Sequence, residues 1–302
     1  MKMEIKDNGL RKLVENSLGL NCISMSQQKL LAATNVNGAE NGTNHSALAK
    51  IDPNLNFRAI HRLATEVINE QKNFEDVVEK ADDILQQEPR VRQNEEDVDQ
   101  GWMTYFIEGA GKTYNERLKE YWAKLLAGEI KNPGSNSSRL IDFLKKLSVK
   151  DAERIQKMCK YVVCFKGNPK LLHYENEPYG FEEIRFLVEL GLLDPSHDII
   201  LPYGSENSDQ TLYLQRDDIS FHITTKHQKH KVGIYSFTEV GNEFFRIIDD
   251  GQVDVNFLRS YSNYMNRKKS YLVFTCGKGE IQQGGFIVIP KDKQLFRIPE
   301  EI

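Results

Sequence analysis

Apolar residues recur at helical intervals along the first half of the chain. Leu10, Leu13, Val14 and Leu18, then Leu30 and Leu31, make a loose amphipathic pattern over residues 1–33, with Lys and Arg between them. Residues 34–46 are polar and turn-rich and read as a linker. Asp52-Pro53 is a helix-start signal. Phe57, Ile60, Leu63, Ala64, Val67 and Ile68 follow at three- and four-residue spacing, and a second run uses Phe74, Val77, Val78, Ala81, Ile84 and Leu85. Residues 88–99 are acidic, contain Pro89 and predict a solvated connector.

The block 101–165 carries the densest pattern. Trp102, Tyr105, Phe106 and Ile107 open a helix. Leu118, Tyr121, Trp122, Leu125, Leu126 and Ile130 form a stripe that Asn132-Pro133-Gly134-Ser135 stops. Leu140, Ile141, Phe143, Leu144 and Leu147 make the next helix. Ser148, with Asp151 three residues later, resembles a capping box and starts a third, from Val149 to about Val163.

Beyond 165 the period changes. Phe181–Leu190 reads as a short helix stopped by Gly191. Residues 199–202, 211–215, 219–224 and 232–237 read as strands separated by polar turns. Thr238 can cap a helix to about Ile248, and another spans about Val255 to Arg267. Residues 271–275 and 286–289 read as terminal strands around a turn region, Gly277–Gly285. The expected class is α+β: a helical N-terminal bundle, then a smaller, winged-helix-like α+β domain. The expected parts are a tail and linker over 1–50, a helical domain over 51–165 and an α+β domain over 166–302.

Length and composition agree with a folded chain. Of 302 residues, 39% are hydrophobic, including 15 Phe and 12 Tyr, enough for a core. Forty basic residues against 44 acidic ones do not favour bulk nucleic-acid binding, though a local basic patch remains compatible. No apolar run is long enough for a membrane span or a secretory signal, so a cytoplasmic protein is expected. Cys22, Cys159, Cys164 and Cys276 form no C-x-x-C pair and are expected to be reduced thiols.

The candidate chemistry is sparse. Gly109-Ala110-Gly111-Lys112-Thr113 has the ending of a phosphate loop, but Phe106 stands where that motif needs its first glycine, and the preceding segment is helical. A turn between helices is expected there. His222, His227 and His230 near Asp217 and Asp218 could suggest zinc. However, His227 and His230 lie in a hydrophilic connection, and no metal site is expected. Lys226, His227, Lys229, His230 and Lys231 would form the tip of a wing and contact nucleic acid or a partner. Asn263, Arg267, Lys268 and Lys269 make a second basic patch at a helix C-terminus, where the helix dipole suffices as an explanation. Neither a nucleophile elbow nor a His-Glu-x-x-His helix is present, so no catalytic residue and no cofactor are expected.

Several strings in this chain resemble a known family. They are Tyr121-Trp122-Ala123-Lys124-Leu125-Leu126-Ala127-Gly128-Glu129, the Pro133-Gly134-Ser135 turn, and Leu147-Ser148-Val149-Lys150-Asp151-Ala152. Together they resemble the bacterial family known as domain of unknown function 2806. The layout is also similar to the abortive-infection alpha family of phage-defence proteins. Leu190-Gly191-Leu192-Leu193 and Phe237-Thr238-Glu239-Val240-Gly241 are further echoes. The match departs at Asn136, where Phe is usual, and at Phe237, where Leu is usual. The resemblance implies a bacterial or prophage origin and a role in defence, and it brings no catalytic residues. Trp122, Leu125, Leu126, Gly128, Pro133, Gly134, Ser148 and Asp151 are expected to build a scaffold. The expected function is a non-enzymatic, abortive-infection type interaction protein. Its partners would be a phage component, a further copy of itself, or a membrane surface reached through residues 10–33 on activation. The alternative is a winged-helix nucleic-acid-binding regulator.

Overall fold

The computed structural model describes residues 5–19, 53–87, 97–175, 177–194, 199–281 and 287–299. They form two compact units, Met1–Val149 and Lys150–Ile302.

The described part of the first unit is helical: α1 (Asn8–Gly19), α2 (Pro53–Gln87), α3 (Gln100–Gly111), α4 (Glu116–Lys131) and α5 (Ser138–Lys146). The two apolar runs expected after Pro53 are one helix, because nothing from Asn69 to Asn73 breaks it. Side-chain caps fix the later helix starts. Asp99 accepts from Trp102 N at 2.7 Å, Asn115 from Leu118 N at 3.3 Å, and Ser137 from Leu140 N at 3.3 Å.

Trp122 is the centre of this unit, with 1% of its surface exposed. Phe106 meets its ring edge-on at 5.4 Å, and Trp102 stacks on Phe106 at 5.3 Å. The second half of α2 packs on α3 and α4, burying Phe74, Val77, Val78, Ala81 and Leu85. The N-terminal segment is tied to the same helix. The buried Asp82 carboxylate accepts from Lys6 N at 3.1 Å and Asp7 N at 2.8 Å, and Ile5, Leu10 and Val14 are buried.

The second unit opens with α6 (Val149–Cys159). It continues as β1 (Val162–Phe165), β2 (Asn168–Leu172), α7 (Gly180–Glu189), β3 (Ile199–Gly204), β4 (Gln210–Arg216), β5 (Ile219–Thr225), β6 (Lys229–Ser236), α8 (Glu239–Ile248), α9 (Val255–Lys268), β7 (Leu272–Lys278), β8 (Glu280–Ile281), β9 (Ile287–Val288) and β10 (Gln294–Ile298). The class is α+β. Eight strands make one antiparallel sheet in the order β10-β7-β5-β4-β1-β2-β6-β3, and β8 and β9 pair separately.

Three expectations are corrected here. The helix after Ser148 stops at Cys159 rather than continuing to Val163, and residues 162–172 form a hairpin. Its turn, Lys166-Gly167, has positive φ at both residues (50° and 79°), the twist a two-residue hairpin needs. The strand at 287–288 pairs with 280–281, while β7 takes β10 as its outer neighbour. Lastly, the strands flanking residues 226–228 do not pair with each other. β5 lies between β4 and β7, and β6 between β2 and β3, so this connection is not a hairpin wing.

Candidate interaction surface

The scaffold residues divide into packing and turn-holding roles. Trp122, Leu125 and Leu126 are buried on one face of α4. Glu129 on the same helix is buried, and its carboxylate holds the turn after it. One oxygen accepts from Gly134 N at 2.6 Å, and the other from Asn136 N at 3.0 Å and Asn136 Nδ2 at 3.1 Å. Asn136 O in turn accepts from Trp102 Nε1 at 3.0 Å. A β-carbon on Gly128 would stand 3.5 Å from Asn136 Nδ2, an ordinary contact, so the turn does not require glycine there. Pro133 is half-buried in this turn, and Gly134 adopts φ +79°. Ser148 is exposed immediately before α6, and Asp151 lies in its first turn. Sequence reading missed Glu129 and Asn136, although their approach across a Pro-Gly turn gives the string its chemistry.

The two C-terminal echoes of the family meet in space. Thr238 caps α8 by accepting from Gly241 N at 3.0 Å, and its hydroxyl donates to Gly191 O at 2.6 Å. A β-carbon on Gly241 would lie 2.0 Å from Leu192 O, so only glycine lets these segments close.

Gly109 and Gly111 serve packing rather than phosphate. They belong to the last turn of α3, not to an interhelical turn. Gly109 lies under Trp122, and Gly111 faces the backbone of Glu70 on α2, with Gly111 O accepting from Asn73 Nδ2 at 2.9 Å.

The histidines and acids considered for zinc do not converge. Asp217 and Asp218 form the turn at one end of β5, and His227 and His230 lie beyond its other end. Among the described residues, no group of three or more His, Cys, Asp or Glu could hold a metal ion. His222 packs edge-on against Tyr213 at 4.8 Å, and its buried Nε2 has no hydrogen-bond partner among the described residues. Burial pushes its pKa down to about 4. His230 is only 2% exposed, so it leaves the contact set. Burial, with Lys269 beside it, lowers its pKa to about 4. Lys226, His227, Lys229 and Lys231 are exposed, and His227 pairs with Asp209 at 3.0 Å. Lys226 N donates to Tyr271 O at 3.1 Å, which places this turn beside the end of α9.

The described thiols offer no nucleophile. Burial raises Cys159 and Cys276 to about 12 and Cys164 to about 11, which keeps all three protonated at neutral pH. Cys22 lies outside the described residues. Leu10 and Val14 are already used in the core, while positions 20–33 of the segment considered for membrane contact lie outside the described residues. Among the described residues, no helix is long and apolar enough to cross a membrane.

The most conspicuous surface is on α2. Phe57, Ile60, Ala64, Val67, Gln71, Phe74, Val78, Ala81 and Leu85 alternate three and four residues apart, the repeat that keeps one seam facing a partner. From Phe74 onward the seam is core. From Phe57 to Lys72 no side chain is buried. Phe57 is 69% exposed, and Ile68, on the flank of the seam, is 67% exposed. Ile60, Leu63 and Val67 are half-exposed between them. At about 1.5 Å per residue this ridge is about 20 Å long. The charged residues of this stretch lie elsewhere on the helix: at about 100° per residue Arg58, Arg62 and Glu66 fall on the side away from the seam.

A family model described as "Protein of unknown function (DUF2806)" matches residues 57–261, more than half of the chain, and its first matched residue is Phe57 on the ridge. The chain has no match among the curated proteins and none among the solved structures. The scaffold around Trp122, the Glu129 turn and the Gly191–Thr238 lock all fall inside the matched stretch, and the chain belongs to the DUF2806 family of proteins of unknown function.

Proposed function

We propose that this is a bacterial phage-defence protein of the abortive-infection kind, which works in the cytoplasm by touching other macromolecules rather than by catalysis. The ridge of α2 carries this reading. A soluble helix seldom leaves a continuous apolar stripe open unless something covers it in use. The same seam is core over its second half, so the open half is a ready-made docking edge. The strings shared in layout with the abortive-infection alpha family supply the biological setting. Sensing a phage component and assembling are the steps this edge would serve, with peripheral membrane contact on activation. Deleting the gene and measuring plaquing across a broad phage panel tests the reading. Higher plating efficiency for some phages is expected, and unchanged plaquing across the panel overturns it.

A second reading, a nucleic-acid-binding regulator without a hairpin wing, rests on the exposed Lys226, Lys229 and Lys231 beside the end of α9. It requires a salt-sensitive mobility shift that alanine substitution of these lysines abolishes. No shift at low salt removes it.

A further inference from the structure

We infer that Lys226, Lys229 and Lys231 act together with Arg267 and Lys269 at the end of α9 as one site for the phosphodiester backbone of a nucleic acid, and that the buried His230 is the positioning residue that holds Lys269 there. The inference rests on the reading of this protein as a nucleic-acid binder, and it names the full residue set and the part of the ligand that the set takes.

Two stretches remote in sequence meet at this site. Lys226 N donates to Tyr271 O at 3.1 Å. His230 Nδ1 lies 3.5 Å from Lys269 Nζ and 3.3 Å from the Tyr271 hydroxyl. An ammonium can only donate, so Nδ1 is the acceptor and the ring proton sits on Nε2. Burial, with Lys269 beside it, keeps His230 neutral at pH 7. A neutral acceptor orients Lys269 and leaves its charge uncancelled, which a carboxylate in the same place would not.

The five cations are short of counter-ions. Lys226, Lys229, Lys231 and Arg267 are exposed, and Lys269 is half-buried. Among the described residues none of the five has a carboxylate in ion-pair contact, because the carboxylates beside them are taken: Asp209 by His227 at 3.0 Å, and Glu175 by Lys268 at 2.8 Å. Other surface lysines, such as Lys112, Lys278 and Lys293, are paired. Lys229 and Lys231 leave β6 on the same side, about 7 Å apart.

The rest of the patch selects the polyanion. Among the described residues of 226–231 and 263–271 no large apolar side chain is exposed, so nothing there would enter a lipid surface. Four of the five cations are lysines, point charges without the planar guanidinium fork, and the connection at 226–228 is not a wing that could enter a groove. Contact is therefore with phosphates and independent of base sequence. The whole chain carries a net charge of −4, so binding is weak at physiological salt, with a Kd on the order of 1–100 μM.

The test uses the full chain and fluorescence anisotropy with labelled oligonucleotides of random sequence, duplex and single-stranded, between about 50 and 200 mM salt. Five phosphate contacts give log K against log salt a slope of about −4.5 on the duplex or about −3.5 on the single strand, a loss of about a hundredfold or more over that range. Lys269→Ala and Arg267→Ala should each reduce the slope by about 1. Lys112→Ala removes the same charge in the first unit and should leave it unchanged. His230→Phe keeps a ring and removes the acceptor; it should match Lys269→Ala, and adding Lys269→Ala to it should change nothing further. An unchanged slope in His230→Phe overturns the role given to His230. Wild-type slopes in Lys269→Ala and Arg267→Ala, with binding lost in Lys226→Ala/Lys229→Ala/Lys231→Ala, overturn the inference and leave the nucleic-acid reading standing on the turn alone. No binding of either oligonucleotide at the lowest salt removes both. A chain that ignores oligonucleotides but binds phosphatidylserine vesicles makes the patch a membrane contact and also overturns both.

Discussion

Gly109 lies directly under the ring of Trp122. A β-carbon there would stand 2.3 Å from Cη2 and 2.8 Å from Cζ2 of the indole. Helix propensity alone would favour alanine by about 1 kcal/mol. Overpacking costs about 1–3 kcal/mol and should win here, because Trp122 is itself hemmed in by Phe106. Gly109→Ala is therefore expected to lower the urea midpoint of the first unit. Adding Trp122→Phe should recover part of that loss, and strict additivity of the two changes would refute the contact.

The Glu129 carboxylate accepts from both Gly134 N and Asn136 N. Glu129→Ala should cost about 1–2 kcal/mol, since it strands part-buried donors that water reaches only partly. Glu129→Gln keeps one acceptor oxygen and should cost less. Because Asn136 O receives the Trp102 indole N–H, tryptophan fluorescence reports whether the turn has let go.

A buried guanidinium clamps the second unit. Arg216 donates to Cys159 O, to Val162 O at 3.2 Å and to the Asp249 carboxylate, joining the end of α6, the start of β1 and the end of α8. Removing one partner leaves the other charge stranded, at a cost of about 3–5 kcal/mol, whereas removing both is often far milder. Arg216→Met should destabilise strongly, and Arg216→Met/Asp249→Leu should recover a large part of the loss. Chemical denaturation followed by far-UV circular dichroism checks both.

Acid should weaken the second unit before it protonates the folded histidines. His222 and His230 have folded pKa values near 4, below the ordinary 6.5, chiefly because burial penalises the cation. Above about pH 6.5 both states are neutral and nothing is lost. Between about 6.5 and 4 the unfolded chain binds more protons, so stability falls as pH falls, and below about 4 the loss is complete. Allowing for partial solvent access, each histidine contributes about 1–2 kcal/mol to that slope. His222→Phe, which keeps a ring against Tyr213, should flatten the stability profile between pH 6.5 and 4.5. An unchanged profile would refute the burial of His222.

Long periodic helices and capped starts were legible because their signals are local. Trp122, Leu125 and Leu126 read as core from spacing alone, and Thr238 announces its cap from residue type. The β1–β2 hairpin was legible in principle: Val162, Val163 and Phe165 favour strand, and Lys166-Gly167 suits a two-residue turn. Helical momentum from α6 obscured it. The partners of β5 and β6 were not legible. Antiparallel neighbours are chosen over long sequence separations, and a polar connection such as residues 226–228 looks the same whether or not its strands pair. The ridge shows the same limit. The spacing of Phe57, Ile60, Ala64 and Val67 matches that of Phe74, Val78, Ala81 and Leu85, and only packing distinguishes the open half of the seam from the core half.

The central claim is that the open half of the α2 seam is where this protein works. The most direct test is phage plaquing on cells carrying Ile60→Asp/Val67→Asp in place of the wild-type chain, at matched protein level and matched melting temperature. Plaquing should rise to the level seen without the gene. Protection equal to wild type, from a variant whose ridge carries two aspartates, would contradict the account.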